Sequence, residues 1–159
     1  MSLVIFLAFL GACMAAATTG SMFGPGDWYD RLDKPSWTPP NWLFPIAWTV
    51  LYLAMAYAAW RVAVSGSDVL ALGLAFWALQ IALNTLWTPV FFGKRQIFHA
   101  LIVIGAMWVA VLLTTAAFLA ADLIAGLLFV PYLIWVSYAA ALNYDIWRRN
   151  GAMLEEDAA

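Results

Sequence analysis

The sequence predicts an all-α integral membrane protein, a bundle of five transmembrane helices. Apolar residues make up 66% of the 159 residues and charged residues only 10%, which is a composition typical of membrane proteins. The charged residues leave five uncharged runs, each longer than the roughly 20 residues that cross a bilayer core. These runs are Met1–Gly26, Pro35–Trp60, Val69–Gly93, Gln96–Ala121 and Leu123–Tyr144.

The runs predict one domain, residues 1–150, followed by a disordered acidic tail at 151–159. The predicted helices cover residues 3–21, 44–62, 69–92, 96–120 and 123–149. The first is a retained helix, because no basic residue precedes it and its apolar stretch is too long for a signal peptide. Asp122 stands alone between two apolar runs, which predicts a short turn and a cap on the fifth helix. Pro131 lies inside that helix and should kink it unless neighbours satisfy the freed carbonyl.

Loop one, residues 22–43, is the only long predicted connection. Its prolines exclude a regular helix throughout, and aromatic residues such as Trp28 and Trp37 predict that it folds over the mouth of the bundle. Gly24 and Gly26 allow hinge motion, so we expect a lid whose order depends on ligand.

Basic residues are divided unequally between the two sides of the membrane. Loop one, the third loop and the C-terminal segment carry six Lys and Arg residues, whereas the opposite side carries only Arg61. The positive-inside rule therefore places the N-terminus outside, with loop one and the C-terminus cytoplasmic if the protein lies in a bacterial inner membrane. A net charge of −2 without a basic cluster argues against a nucleic-acid partner.

Small residues on one face of the third helix predict a homodimer, because they let helices approach closely in lipid. They are Ala71, Ala75, Ala78 and Ala82. A similar ridge on the first helix is the alternative interface. It consists of Ala8, Ala12 and Ala16.

Aromatic and polar side chains recur at membrane depth with spacings of three and four residues, which places them on one face of each helix. The second helix offers Phe44, Trp48, Tyr52 and Met55; the third Trp77, Gln80, Asn84, Trp87 and Phe91; the fifth Tyr132, Trp135, Ala139, Leu142 and Asn143. Together these faces predict a pocket for a flat, largely apolar ligand. In the alternative interpretation the amides hydrogen-bond between helices and the tryptophans form interfacial belts.

Ordinary catalytic residue sets are missing from the uncharged runs. They offer no ionised side chain to relay protons or bind a coupling ion, and one His, one Cys and no acidic pair argue against metal-dependent or acid–base catalysis. We therefore predict no metal site and no required cofactor. His99, near Lys94 and Arg95, is either an interfacial histidine or a contact or axial ligand for a metalloporphyrin.

Four stretches that contain tryptophan carry a further signal. They are Trp37–Trp42 (WTPPNW), Phe44–Tyr52 (FPIAWTVLY), Gln80–Gly93 (QIALNTLWTPVFFG) and Val130–Asn143 (VPYLIWVSYAAALN). In order and spacing they resemble the tryptophan-rich sensory protein or translocator protein (TspO) family. The resemblance implies a five-helix bundle, usually homodimeric, whose pocket beneath loop one binds protoporphyrin IX or haem. Animal relatives also bind cholesterol and synthetic drugs.

The resemblance also implies binding residues. The family's pocket positions fall on Trp48, Tyr52, Asn84, Trp87, Trp135, Ala139 and Leu142. We add Trp37, Gln80, His99 and Asn143 to the predicted ligand-binding set. Animal members have a pocket tryptophan at the position of His99, which strengthens its interpretation as a ligand contact. A cholesterol-recognition pattern is met formally by Leu142, Tyr144 and Arg148.

The predicted function is tetrapyrrole binding in porphyrin sensing, transport or regulation. Pocket aromatics would stack on the macrocycle, while Asn84 and Gln80 hydrogen-bond to its polar edge. One alternative is light- and oxygen-dependent breakdown of bound porphyrin, with Trp48 and Trp135 as redox-active neighbours. Another is a receptor that acts through partner proteins without transport or turnover.

Overall fold

The computed structural model describes residues 1–156, with side chains to residue 151. Those residues form helices and no strand, and five helices are long and apolar enough to span a membrane. The long helices are α1 (Ser2–Met22), α3 (Leu43–Ala63), α4 (Leu70–Thr88), α5 (Ile97–Ala121) and α6 (Leu123–Glu156), and loop one contains the short helix α2 (Asp27–Arg31). The prediction of an all-α bundle with five membrane spans is confirmed.

Two helices have notable C-terminal ends. The third predicted helix changes at Pro89 into a π-helical turn, Pro89–Gly93, because proline supplies no N–H to the regular helical pattern. The widened turn is closed by the Lys94 N–H, which donates to the Pro89 carbonyl at 2.8 Å. Helix α6 passes through Pro131 without a break and continues to Glu156. The tail expected to be disordered from residue 151 is therefore helical to Glu156, and residues 157–159 lie outside the described residues.

The five long helices close a ring. Helix α1 packs between α3 and α4, α3 packs on α6, and α5 lies between α4 and α6. Large buried side chains such as Met55, Phe118 and Tyr132 fill the half of the ring far from loop one. A second cluster includes Tyr29 of α2 and Phe91 of the π-helical turn, and it packs loop one against the near end of the ring.

An ion pair connects α3 to the turn between α5 and α6. The Arg61 Nε and Nη2 atoms donate to the two carboxylate oxygens of Asp122 at 2.9 and 2.8 Å. Asp122 Oδ1 also accepts the Ala125 N–H at 2.8 Å, so it caps α6 as predicted. The Arg61 hydrogen bonds and, second, the Ala125 N–H lower the pKa of the Asp122 carboxyl. Asp122 therefore fixes the ring at the end far from loop one.

We expect Asp122→Ala to lower the thermal unfolding temperature in detergent by a few degrees, since it removes both a cap and an ion-pair partner. Because the folded-state pKa is depressed, this stabilisation is present above the unfolded value of about 4 and is lost as pH falls through the folded value. Circular dichroism melts at pH 7 and at decreasing pH measure the effect. Asp68→Ala, at an exposed carboxylate on the same side, is the control; equal shifts in both variants would contradict the assignment.

The surface of α4 agrees with the expected homodimer interface. All four alanines that are predicted to form the interface are exposed: Ala71, Ala75, Ala78 and Ala82. On α1, by contrast, Ala16 is buried and Ala12 packs against the protomer's own core. Part of the alternative ridge is therefore already used inside the protomer.

The homodimer stays a prediction, and cysteine crosslinking tests it. We expect Ala75→Cys to give a disulfide-linked dimer on oxidation in membranes, because the small face of α4 allows close approach. Ala8→Cys is the comparison on α1, and the native Cys13 is buried. Efficient capture from Ala8→Cys alone would move the interface to α1.

Candidate ligand-binding site

A cavity of about 500 Å³ lies inside the ring at the end covered by loop one. All five long helices contribute to its lining, together with Phe23, Pro25 and Tyr29 of loop one. Its size falls within the range of small-molecule sites, and its lining is mostly apolar.

The cavity brings together most of the predicted site residues. Eight of them line it: Trp48, Tyr52, Asn84, Trp87, Trp135, Ala139, Leu142 and Asn143. They come from α3, α4 and α6, whose aromatic faces the helical spacing had predicted to converge. Trp37, Gln80 and His99 do not line the cavity.

The walls of the cavity are flat aromatic rings. Trp48 and Trp135 stand nearly perpendicular, with ring centroids 6.4 Å apart. Tyr52 stacks on Trp48 at 5.3 Å, and Trp87 stacks on Phe91 at 5.0 Å. Within the described part of the chain, neither Trp48 nor Trp135 makes an indole hydrogen bond, and both residues line the cavity.

The cavity floor is a hydrogen-bonded chain of neutral side chains. The Tyr52 hydroxyl donates to Asn84 Oδ1 at 2.7 Å, and Asn84 Nδ2 donates to the Tyr132 hydroxyl at 3.1 Å. Tyr132 then donates to Gln80 Oε1 at 2.9 Å. Gln80 thus lies below the floor and acts on the cavity only through Tyr132. Sequence spacing placed Gln80 and Asn84 on one face but could not show that only Asn84 reaches the cavity while Gln80 bonds to the Tyr132 hydroxyl.

Asn143 holds one wall in position. Its Oδ1 accepts the Trp87 Nε1–H at 3.1 Å, and its Nδ2 donates to the Ile97 carbonyl at 3.1 Å. Asn143 therefore links α6 both to the Trp87 ring on α4 and to the first turn of α5. Both the oxygen and the nitrogen of its amide bond to protein partners, and the bond to Nε1 orients the Trp87 ring.

Loop one forms a packed roof. Tyr29 is buried against Phe91 and Phe92, with centroid distances of 6.2 and 5.4 Å. The backbone N–H and carbonyl of Asp33 pair with the side-chain amide of Asn150, both at 2.9 Å. The loop is therefore anchored to the π-helical turn after α4 and to the C-terminal part of α6. A ligand-dependent change in its order stays a prediction.

Trp37 and His99 lie outside the cavity. Trp37 borders a separate groove between loop one and α6, where its carbonyl accepts the Tyr138 hydroxyl. His99 is exposed in the first turn of α5. A ligand contact by either residue stays a prediction.

Sequence reasoning missed the cavity residues on α1 and α5. These include Ala16, Ala17 and Gly20 on α1, and Ile104 and Met107 on α5. They are small or aliphatic, as are lipid-facing residues, so no residue type marks their side of the helix. Phe23, Tyr29 and Phe92 were missed for a different reason, since they reach the cavity only through the fold of loop one and of the π-helical turn.

The sequence of this chain is similar to the sequences of known proteins. Residues 4–148 match the model of the TspO/MBR family. The chain is 50% identical over 152 residues to Protein CrtK of Rhodobacter capsulatus, covering 94% of this chain and 95% of the relative. It is 52% identical over 151 residues to a tryptophan-rich sensory protein of Cereibacter sphaeroides, covering 94% of each. It is also 37% identical over 137 residues to the translocator protein of Homo sapiens, covering 82% of this chain and 81% of the relative.

Proposed function

This chain belongs to the TspO/MBR family, and from that premise we propose that it binds a planar tetrapyrrole in membrane sensing, transport or regulation. The names of its relatives, a sensory protein and a translocator protein, support the sensory or transport role. The observation that carries the proposal is the cavity, which combines flat aromatic walls with neutral hydrogen-bonding groups on its floor. Protoporphyrin IX and haem are the proposed ligands.

The proposed binding mode follows from the chemistry of the lining. The macrocycle stacks against the indole rings of Trp48, Trp87 and Trp135, which replaces water or lipid with close aromatic contact. Tyr52 and Asn84 offer a hydroxyl and an amide to polar atoms at the inner edge. The ionised carboxylates of the ligand point to the mouth, since burying them against neutral groups is costly.

In this proposal the protein recognises the porphyrin macrocycle and not a metal ion bound in it. Within the described residues the cavity lining includes no histidine or cysteine. A metal-free porphyrin therefore meets every contact that the lining offers, and haem binds through the same ring contacts. No cofactor is required for this function.

We also propose how the protein sits in a bacterial cell. It spans the inner membrane as a homodimer with the N-terminus outside, and the mouth of the cavity faces the cytoplasm. The basic residues on the loop-one side support this orientation, because Arg31, Lys34, Lys94 and Arg95 lie in the loops of that side whereas Arg61 is paired with Asp122 on the opposite side.

The second candidate function is light- and oxygen-dependent breakdown of the bound porphyrin. It is favoured by Trp48 and Trp135, two oxidisable side chains that both line the cavity. Light and oxygen would supply the chemistry, and the protein would supply contact with these indoles.

Illumination separates the two functions. We expect protoporphyrin IX to bind saturably in the dark, and we expect Trp135→Phe to leave the rate of Soret bleaching in air unchanged. Trp42→Phe, at an exposed indole outside the cavity, is the matched control. Porphyrin breakdown would be favoured if the unmodified protein and Trp42→Phe form a defined product and Trp135→Phe does not. Absence of saturable binding would refute the proposed function.

Ala139 gives a direct test of the binding mode, since it lines the cavity one turn from Trp135 and Asn143. Ala139→Thr adds bulk where the ligand edge should lie, while its hydroxyl can bond back to the Trp135 carbonyl and keep the helix intact. We expect the variant to fold and to bind protoporphyrin IX about tenfold more weakly, the equivalent of about 1.4 kcal/mol.

Tryptophan quenching measures both affinities. Ala141→Thr, at an exposed position on the same helix, is the control and should bind like the unmodified protein. Equal affinities for Ala139→Thr and Ala141→Thr would place Ala139 in helix packing rather than in the binding site.

A further inference from the structure

A second cavity lies beside the first and opens towards the bilayer. This lateral groove, of about 520 Å³, runs between loop one with the start of α3 on one side and α6 on the other. Its apolar walls include Pro39, Pro40 and Leu43, which face Pro131 and Ile134 across it. Ile134 is 64% exposed, so the groove is accessible from the lipid-facing surface of α6.

The depth of the groove places it against acyl chains. With the helical rise of 1.5 Å per residue, Pro131 and Tyr138 lie about 14 and 24 Å along α6 from Asp122. Asp122 marks the far edge of the bundle through its ion pair with Arg61, and a bilayer core is about 30 Å thick. The groove therefore faces hydrocarbon in the leaflet nearer to loop one.

One tryptophan separates the groove from the ligand cavity. Trp135 lines both spaces. On the cavity side its ring contacts Phe44 and Trp48, with centroids at 5.8 and 6.4 Å, and on the groove side it stacks on Tyr138 at 6.1 Å. A change in the Trp135 side-chain rotamer would connect the two spaces.

The partition is held by few interactions. The Tyr138 hydroxyl donates to the Trp37 carbonyl, and the rings of these two residues meet edge to face at 5.3 Å. Pro131, one turn before Trp135, has no N–H to donate to the carbonyl of Leu127, so the helix is weaker just before the partition. This side of the cavity is therefore closed by one side-chain hydrogen bond and stacked rings.

The route through the roof is closed more firmly. Opening it would expose the buried side chains of Tyr29 and Leu32 and break both hydrogen bonds between Asn150 and Asp33. Opening the roof would therefore lose two hydrogen bonds and expose two large side chains together. Opening the lateral groove breaks fewer interactions. It also leads directly from the bilayer, in which a largely apolar ligand dissolves.

We propose that the lateral groove is the entrance through which a largely apolar, membrane-dissolved ligand reaches the cavity, with Trp135 as its gate and the Tyr138–Trp37 contact as its latch. The inference rests on the proposed function, because it concerns access to that same site. It predicts that changes in the groove alter the rates of binding more than the equilibrium affinity, since the groove residues other than Trp135 do not line the cavity.

The test follows protoporphyrin IX, dissolved in the bilayer of vesicles that contain the protein, by the shift of its Soret band. Ile134→Trp fills the groove and should slow association and dissociation about tenfold at unchanged affinity. Its control, Leu127→Trp, lies on the same helix at similar exposure, 55% against 64%, and should behave like the unmodified protein. Tyr138→Phe removes the latch and should accelerate both rates, by up to about tenfold for one hydrogen bond.

The outcomes separate the entrance from the proposed function. Normal binding by the unmodified protein, with equal rates for Ile134→Trp and Leu127→Trp and no acceleration by Tyr138→Phe, would refute the entrance and leave the proposed function intact. If Ile134→Trp does not fold, Tyr138→Phe decides alone, and unchanged rates in it would overturn the latch and the entrance. No binding by the unmodified protein would overturn both proposals.

Discussion

Hydrocarbon offers no hydrogen-bond partner, so every polar side chain at membrane depth must find one inside the protein or in a cavity. In this bundle the hydroxyl of Tyr132 meets that requirement for two amides, because it accepts from Asn84 and donates to Gln80. Tyr52 completes the chain from α3. A shift of α3, α4 or α6 along its axis would break at least one of these bonds, so the network fixes the register of three helices and the depth of the cavity floor.

The same constraint divides the tryptophans by role. Trp77 donates to the Met55 carbonyl, Trp87 to Asn143 and Trp108 to Ser137, and each of these bonds ties one helix to another. Trp48 and Trp135 make no such bond among the described residues. Their rings meet edge to face, and both line the cavity.

The two ends of the ring differ in how completely side chains fill the interior. Far from loop one, large side chains fill the interior and the Arg61–Asp122 pair closes the edge. Near loop one, small residues such as Ala16, Gly20 and Ala139 leave space that the roof covers but does not fill. A well-packed end thus holds the helices together while the other end accommodates a ligand. In the proposed function, binding energy comes from filling this space rather than from rearranging the bundle.

The sequence by itself determined the membrane class, the five spans and the aromatic faces of three helices that line the cavity, because uncharged length and helical spacing are local properties of the chain. Trp48, Tyr52, Asn84 and Trp135 could be placed together since residues three and four apart share a helix face. Only the tertiary structure decided that Gln80 lies beneath Tyr132, that Trp37 borders a separate groove, and that α1 and α5 supply cavity walls. Those placements depend on how the helices are rotated and staggered, which is set by contacts between residues far apart in the chain, and aliphatic residues carry no local mark of whether they face lipid or a cavity.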